Sequence, residues 1–148
     1  MIFFIEGSSQ SSIKQWIAKA NVHIDSSAIS AGTITFIQED LPLASVRVIG
    51  KLNLTSNKKY LGFHVHMFSL PDDQWNCSYA GPHWNPYGTH LHNLTKSSIL
   101  DKSIVIHQDE DDLGRGNHLD SHTTGHAGDH IACGNIRLVD SGLLPLLF

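Results

Sequence analysis

The sequence predicts an all-β fold, arranged as a sandwich or a barrel. Apolar residues alternate with polar ones over short runs, and clusters of turn-forming residues separate these runs. The only candidate for a helix is SIKQWIAKA, and its apolar periodicity is unconvincing. The chain has 148 residues, of which 41% are hydrophobic and 16% charged, so it fits a single globular domain with a buried core.

Six runs carry the strand pattern, with β-branched or aromatic residues in them and turn residues between them. In chain order they are NVHID, GTITFIQ, LASVRVIGKLNL, KKYLGFHVHMF, SSILDKSIVIHQ and HIACGNIRLV. The stretches 69–92 and 109–129 are rich in polar residues and glycine, which predicts long loops. We expect residues 20–139 to form the folded domain, with 1–19 as an N-terminal extension and 140–148 as a C-terminal tail.

Composition argues against two classes of partner. The formal net charge is −4 and no basic block is present, so nucleic acid is not expected as a partner. No apolar run approaches the length of a membrane span. The opening MIFFIEG is too short for the hydrophobic region of a signal peptide, whereas N-x-S/T sequons at Asn53, Asn76 and Asn93 favour a secretory route. The compartment, cytoplasmic or extracellular, is left open.

Histidine is the anomaly in the composition, because 11 histidines outnumber the 10 lysines and arginines. In GFHVHMF, His64 and His66 are two residues apart in a predicted strand and therefore project from one face. Such a pair could bind a metal ion, or it could simply belong to the wet face of a sheet. Imidazoles favour Cu(II), Zn or Ni over hard ions such as calcium.

Further donors for such an ion come from one loop and one strand end. The loop AGPHWNPYGTHLHN contains His83, His90 and His92, and the strand IVIH ends in His107. Two strands and a long loop can build a metal site on a rigid sheet. We expect four other histidines to lie at the surface, namely His23, His118, His122 and His126.

The two cysteines, Cys77 and Cys133, have three interpretations. They could form one disulfide, remain two buried thiols, or ligate a metal. A disulfide between them would close a long loop, worth about 4 kcal/mol in the chain-entropy model.

Four motifs, in order, resemble those of copper/zinc superoxide dismutases. They are GFHVHMF, CSYAGPHWNP, IVIHQDEDDLGRG and TTGHAGDHIACG, and the resemblance runs from about Ala20 to Ile136. It implies a Greek-key β-barrel, which agrees with the predicted strands. It also implies an antioxidant enzyme that uses copper and zinc to convert superoxide to oxygen and hydrogen peroxide.

The motifs also imply roles for individual residues. By resemblance, copper is held by His64, His66, His83 and His107, and His83 is shared with zinc. Asp111 looks like the carboxylate that orients ligands of the two metals. Cys77 and Cys133 match the family's intrasubunit disulfide.

The chain departs from the family in the zinc loop. Only residues 84–106 separate His83 from His107, so part of the loop and a two-stranded hairpin have no counterpart. We therefore expect a barrel that lacks two strands. His90 and His92 flank the position of the second zinc histidine, and Asp101 is the only nearby carboxylate. Sheet edges left open by missing strands are usually covered, which suggests a homodimer.

A second departure concerns the substrate anion. The arginine that docks superoxide in the family is replaced by His130, which follows Asp129, and the loop lysine is replaced by Thr123. Thr124 matches the threonine that narrows the channel. Loss of fixed positive charge should slow the capture of an anion, although a protonated His130 could partly substitute.

Three functions fit these observations. The first is copper-dependent dismutation, with His83 and His130 as the catalytic residues beside the metal. The second is a catalytically weak or inactive copper-binding relative, chaperone-like or metal-sequestering. With either function, a copper chaperone is a candidate partner. The third is a cupin, which also carries H-x-H on a strand, but MFSLPDD lacks the glutamate that such a site needs after His66.

Overall fold

The computed structural model describes residues 13–41, 44–85 and 98–144, and within these ranges six strands form one antiparallel sheet. The strands are β1 (Ile13–Ile24), β2 (Ser30–Glu39), β3 (Arg47–Leu52), β4 (Phe63–His66), β5 (Ser103–His107) and β6 (His130–Leu144). Helical structure in the described ranges is limited to a 3-10 turn at Cys77–Ala80 and the single turn α1 at Ser121–Thr124. The predicted all-β fold is confirmed.

The sheet has the strand order β3-β2-β1-β6-β5-β4 and curls into a half-barrel. The last strand of the chain therefore lies in the middle, between β1 and β5, as in a Greek key. β3 and β4 are the outermost strands, so the opening of the barrel lies between them. Among the described residues, six strands agree with the expected loss of two; residues 86–97, between β4 and β5, lie outside these ranges.

The core lies on the concave face of the sheet. Strand alternation places Ala18, Ala20 and Val22 of β1 inward, where they meet Ile104 and Ile106 of β5. The opposite face of β5 is also buried, because Val105 packs there in a second cluster beneath the 3-10 turn. β5 is thus buried on both faces, which makes it a rigid support for the side chains at its ends.

Part of the apolar interior is accessible over the middle of the sheet. A cavity of about 310 Å³ lies against β1, β2 and β6, and Trp16, Phe36, Val46 and Leu138 are among its lining residues. Trp16, Val46 and Leu138 are each 37–46% exposed.

Both ends of the predicted domain differ from the observed strands. β1 begins at Ile13, before the expected boundary at Ala20, and the described part of the helix candidate, IKQWIAKA, is strand rather than helix. The reason is pairing on both sides, since Gln15 is in register with Glu39 of β2 and with Gly142 of β6. β6 likewise continues to Leu144, beyond residue 139. Residues 1–12 and 145–148 lie outside the described ranges.

The predicted pairing of Cys77 with Cys133 is confirmed as a disulfide, which ties the 3-10 turn to β6. Asn76 caps the turn by accepting a hydrogen bond from the Ser78 N–H. Gly81 ends it with φ 71°, and a Cβ there would lie 2.4 Å from the ring of Phe68. The turn therefore places residues 81–84 beside the edge of β4.

Among the described residues, no helix has the length and apolarity needed to cross a membrane.

Replacement of a doubly buried β5 residue should be far more costly than replacement on the edge strand. We expect Ile104→Ala to lower the free energy of unfolding by roughly 2–5 kcal/mol, because Ile104 is 0% exposed and its loss leaves a cavity. Ile49→Ala on β3, where the side chain is 51% exposed, should cost about 1 kcal/mol or less. Urea unfolding of both variants would check this, and equal losses would contradict the assignment of the core.

Candidate metal centre

Four histidines converge on the outer face of the sheet. They are His64 and His66 on β4, His83 in the loop after the 3-10 turn, and His107 at the end of β5, and one nitrogen of each lies within 4.8 Å of the others. His64 and His66 share a face because they are two residues apart on a strand. A β-bulge between Ile106 and His107 adjusts the direction of the fourth histidine.

Backbone pairing places His83 in this cluster. The Met67 N–H donates to the Pro82 carbonyl at 2.9 Å, and the Trp84 N–H donates to the Val65 carbonyl at 2.8 Å. His83 therefore lies opposite His66 in an isolated antiparallel bridge. The ring of His83 is 4.1 Å from the ring of His64 and 4.8 Å from that of His66, measured between centroids.

Two rings are oriented by backbone carbonyls. The Nδ1–H of His66 donates to the Gly81 carbonyl at 2.7 Å, and the Nδ1–H of His107 donates to the Gly128 carbonyl at 3.0 Å. Since a carbonyl only accepts, each neutral ring keeps its lone pair on Nε2. These two Nε2 atoms are 3.3 Å apart. Two facing lone pairs require a cation or a proton between them, which is the arrangement of paired metal ligands.

His64 is oriented by a carboxylate instead. Its Nε2–H donates to Asp111, and its Nδ1 is buried without a hydrogen-bond partner among the described residues. The Leu113 N–H holds Asp111 from the other side at 2.6 Å. Burial raises the pKa of Asp111, but the hydrogen bonds from Leu113 and His64 outweigh it and keep the carboxyl below its ordinary value. An ionised Asp111 thus leaves the His64 Nδ1 lone pair free for a metal.

Burial also keeps the cluster in its ligating form. It lowers the pKa of His66 and of His107 to about 4, although the hydrogen bonds to Gly81 and Gly128 partly oppose it. The pKa of His83 is lowered too, first by burial and then by the neighbouring His64. Only neutral imidazole has a lone pair for a metal, so these shifts favour metal binding near neutral pH.

His130 lies beside the cluster at the start of β6. Its ring centroid is 5.3 Å from that of His66 and 4.9 Å from that of His107, and it is perpendicular to both. His130 is also in register with His107 across the β5–β6 pair. The residue at the position of the docking arginine therefore borders two of the four clustered histidines.

The loop before β6 packs against Asp111. Gly125 ends α1 in the left-handed conformation, with φ 65°, and its carbonyl accepts from the Asp112 N–H at 2.8 Å. A Cβ on Gly125 would lie 2.0 Å from Asp111 Oδ1. Thr124, the expected channel residue, is exposed, and its hydroxyl donates to the Asp120 carbonyl at 3.3 Å. Its role in a channel stays a prediction.

The predicted zinc ligands lie only partly within the described residues. His90 and His92 lie outside the described residues. Asp101 is placed apart from the four histidines, where its carboxylate accepts from the Arg137 guanidinium at 2.6 Å. Asp101 is therefore given no support as a ligand, and a zinc site at His83, His90 and His92 stays a prediction.

Three of the four expected surface histidines, His118, His122 and His126, are exposed. His23 is not, since its ring stacks on Trp75 at 3.7 Å and its Nδ1 is buried. That prediction was wrong for His23 because the loop that covers the outer face of β1 is distant in sequence. No local pattern around His23 signals this cover.

The packing of Gly125 gives a test of how Asp111 is positioned. We expect Gly125→Ala to weaken copper binding by about 10- to 100-fold, since the new Cβ would displace the carboxylate that orients His64. Gly114→Ala is the matched control, because Gly114 has a similar φ of 72° but its Cβ would meet no atom closer than 3.6 Å. Competition with a chelator would measure both affinities, and equal weakening would point to backbone strain alone.

The lowered histidine pKa values predict how the stability of the metal-free protein depends on pH. Between pH 6.5 and about 4 the unfolded chain takes up protons at His66 and His107, whereas the folded chain does not. Stability is therefore fully present above pH 6.5 and is lost as pH falls towards about 4. Urea midpoints of chelator-treated protein should show this decrease, and a His66→Gln/His107→Gln double variant should flatten it. An unchanged slope in the double variant would refute the assignment.

Comparison with known proteins agrees with this geometry. The family model for copper/zinc superoxide dismutase (SODC) matches residues 30–98 and 89–136. Superoxide dismutase [Cu-Zn] of Candida albicans is 33% identical over 140 residues, covering 72% of this chain and 89% of the relative. Superoxide dismutase [Cu-Zn] of Yarrowia lipolytica is 33% identical over 141 residues, covering 73% and 90%.

The family uses copper and zinc, and this chain carries a histidine cluster able to hold a metal. The four quoted motifs, the half-barrel and the disulfide occur together in one chain. The chain belongs to the copper/zinc superoxide dismutase family.

Proposed function

We propose that the protein converts two superoxide anions and two protons to oxygen and hydrogen peroxide, with copper held by His64, His66, His83 and His107. The observation that carries the proposal is the pair of Nε2 atoms of His66 and His107, 3.3 Å apart with both lone pairs directed at each other. The buried, unpartnered Nδ1 of His64 supplies a third donor. Relatives named superoxide dismutase support the same reaction.

Copper, when bound, would supply one-electron chemistry, and the protein would supply a fixed set of donors. His66 and His107 are held by carbonyls on opposite sides of the cluster, from Gly81 and Gly128. His64 is held by the ionised Asp111. Each of these three rings is oriented by its second nitrogen, so none has to reorganise when the metal changes charge.

His83 is the proposed proton carrier. Unlike the other three histidines, His83 lies in a loop, and the backbone hydrogen bonds of its neighbours Pro82 and Trp84 hold that loop against β4. Burial and the adjacent His64 lower its pKa, so a proton held at its imidazole nitrogen is readily given up. A proton donor within the cluster suits a reaction that must protonate a reduced dioxygen species.

His130 is the proposed docking residue for superoxide. It borders His66 and His107, and an imidazolium there would attract a small anion. Unlike arginine, histidine carries this charge only in its protonated form. Asp129 adjoins it and adds negative charge, so capture of superoxide should be slower than with a fixed guanidinium.

The zinc site and the protein partners are proposed from the resemblance to the family. We assign zinc to His83 with His90 and His92, and the ion pair of Asp101 with Arg137 speaks against Asp101 as a further ligand. Members of the family are often homodimeric, and we propose a homodimer here. A copper chaperone would be the partner that loads the four-histidine site.

The alternative is a copper-binding protein with little or no activity, chaperone-like or metal-sequestering. Replacement of the docking arginine by His130, next to Asp129, favours it. The decisive experiment is dismutase activity per bound copper on protein loaded with both metals, with the metal content measured on the same sample. Copper retained without activity would establish the alternative, and no retained copper would overturn the ligand assignment.

Restoring the fixed charge should raise activity. We expect His130→Arg to increase kcat/KM for superoxide by roughly tenfold at low ionic strength, because electrostatic guidance contributes factors of this order to anion capture. Added salt should remove most of the gain, since it screens long-range attraction. A gain that does not depend on salt would argue that residue 130 acts on the metal ligands rather than on the approach of the anion.

A further inference from the structure

A second group of possible metal donors consists of the disulfide cysteines and one carboxylate. Both sulfurs of Cys77 and Cys133 and one carboxylate oxygen of Asp25 lie within 4.8 Å of one another. The two cysteines are 0% exposed. This group is distinct from the four-histidine cluster, and the proposed dismutase reaction makes no use of Asp25.

Asp25 is held in place against the cysteines. It directly follows β1, where its N–H donates to the Ile131 carbonyl at 2.9 Å. Its Oδ1 accepts from the Cys77 N–H at 2.7 Å. A carboxylate fixed this close to two sulfurs is a ready third ligand once those sulfurs are thiolates.

His23 neighbours this group through the backbone pairing, although its nitrogens are not among the donor atoms that lie within 4.8 Å of one another. It is opposite Cys133 in the β1–β6 register, so both side chains project from one face of the sheet. Its ring stacks on Trp75, and its Nδ1 is buried without a hydrogen-bond partner in the described part of the chain. A buried polar atom without a partner is costly, and a nearby metal ion would satisfy it.

The backbone of Trp75 completes the surroundings. Its carbonyl oxygen lies 3.7 Å from the sulfur of Cys77 and 3.8 Å from that of Cys133. The same carbonyl accepts from the Ser26 N–H at 2.8 Å. Trp75 therefore links the turn after β1 to the disulfide loop, and its carbonyl offers an acceptor to the thiols of a reduced, metal-free protein.

We propose that reduction of the disulfide converts this group of Cys77, Cys133 and Asp25 into a Zn²⁺ site, with the neighbouring His23 turning towards the separated sulfurs as the fourth ligand. A dithiol would supply the two electrons and two protons, so that the S–S bond breaks, two thiols form, and the dithiol becomes a disulfide. Zn²⁺ then displaces the two thiol protons. In the oxidised protein both sulfurs are bonded to each other, and the site does not exist.

The donor set selects the metal. Two thiolates, one carboxylate and one neutral imidazole are all ligands that Zn²⁺ accepts in tetrahedral structural sites. Thiolates disfavour hard cations such as calcium and magnesium. Three negative ligands and one neutral ligand leave a net charge of −1 around the dication, so the buried charges would be largely compensated.

The test uses Co²⁺ as a spectroscopic substitute for Zn²⁺ in the full chain. A phosphine reduces the disulfide without the chelation that a dithiol would cause, and a thiol assay confirms that two thiols are free. We expect reduced protein to show a thiolate-to-cobalt charge-transfer band, which imidazole ligands at the four-histidine cluster cannot produce. Oxidised protein and a Cys77→Ser/Cys133→Ser variant should lack the band.

Substitutions then test whether Asp25 and His23 contribute to Zn²⁺ binding or whether the two thiols alone account for it. Asp25→Asn keeps the acceptor for the Cys77 N–H but removes the carboxylate, and His23→Phe keeps a ring on Trp75 but removes the nitrogen. We expect each to weaken Zn²⁺ binding by about tenfold or more, since even residues one step removed from a metal have effects of that size. The matched control is Asp72→Asn, because Asp72 is an exposed aspartate in the same β4–β5 connection as Cys77. This variant should bind Zn²⁺ as the wild type does.

The outcomes are distinguishable from those of the dismutase assay, because the readout is sulfur ligation rather than activity. Reduced protein without the charge-transfer band would overturn the proposal. A band of equal affinity in Asp25→Asn and His23→Phe would also overturn it, since two cysteines of an unfolded chain could then account for the binding. If reduction alone unfolds the chain, circular dichroism should show Zn²⁺ restoring the sheet in the wild type more than in Asp25→Asn, and failure to do so counts against the site.

Discussion

The bond between Cys77 and Cys133 is the constraint on which the rest of the metal centre depends. The segment between β4 and β5 contributes only a 3-10 turn of regular structure among its described residues, and the disulfide attaches that turn to β6. From there the chain runs beside β4, so the Gly81 carbonyl contacts His66 and His83 lies next to the other three histidines. A covalent link on one side of β5 thus organises imidazoles at its end.

The centre combines a sheet with two loops, and each contributes something different. β4 and β5 supply histidines with fixed direction, because β5 is buried on both faces. The loops supply the acceptors Gly81, Gly128 and Asp111, which decide the nitrogen that each ring presents. The strands therefore supply three of the four histidines, while the loops supply His83 and the acceptors that orient the other three rings.

The elements that sequence predicts well are those governed by local alternation. The H-x-H pair and the apolar alternation of β5 required no knowledge of partners, and the motif resemblance supplied His83 and His107. Three features could not be predicted in this way. β1 extends to Ile13 through pairing on both sides, His23 is covered by Trp75, and Asp101 pairs with Arg137. Each depends on a contact between residues far apart in the chain, and local periodicity carries no information about such contacts.

The open side of the barrel has a consequence for how molecules of this protein meet one another. β3 is the outermost strand there, and its backbone has no strand beyond it within the described ranges. Val48 and Ile49 on it are about half exposed, which would make it a template for stacking of sheets. Arg47 and Lys51 flank them on the same strand, and like charges repel when two such edges approach. Two positive charges on each edge therefore disfavour the edge-to-edge pairing of two β3 strands.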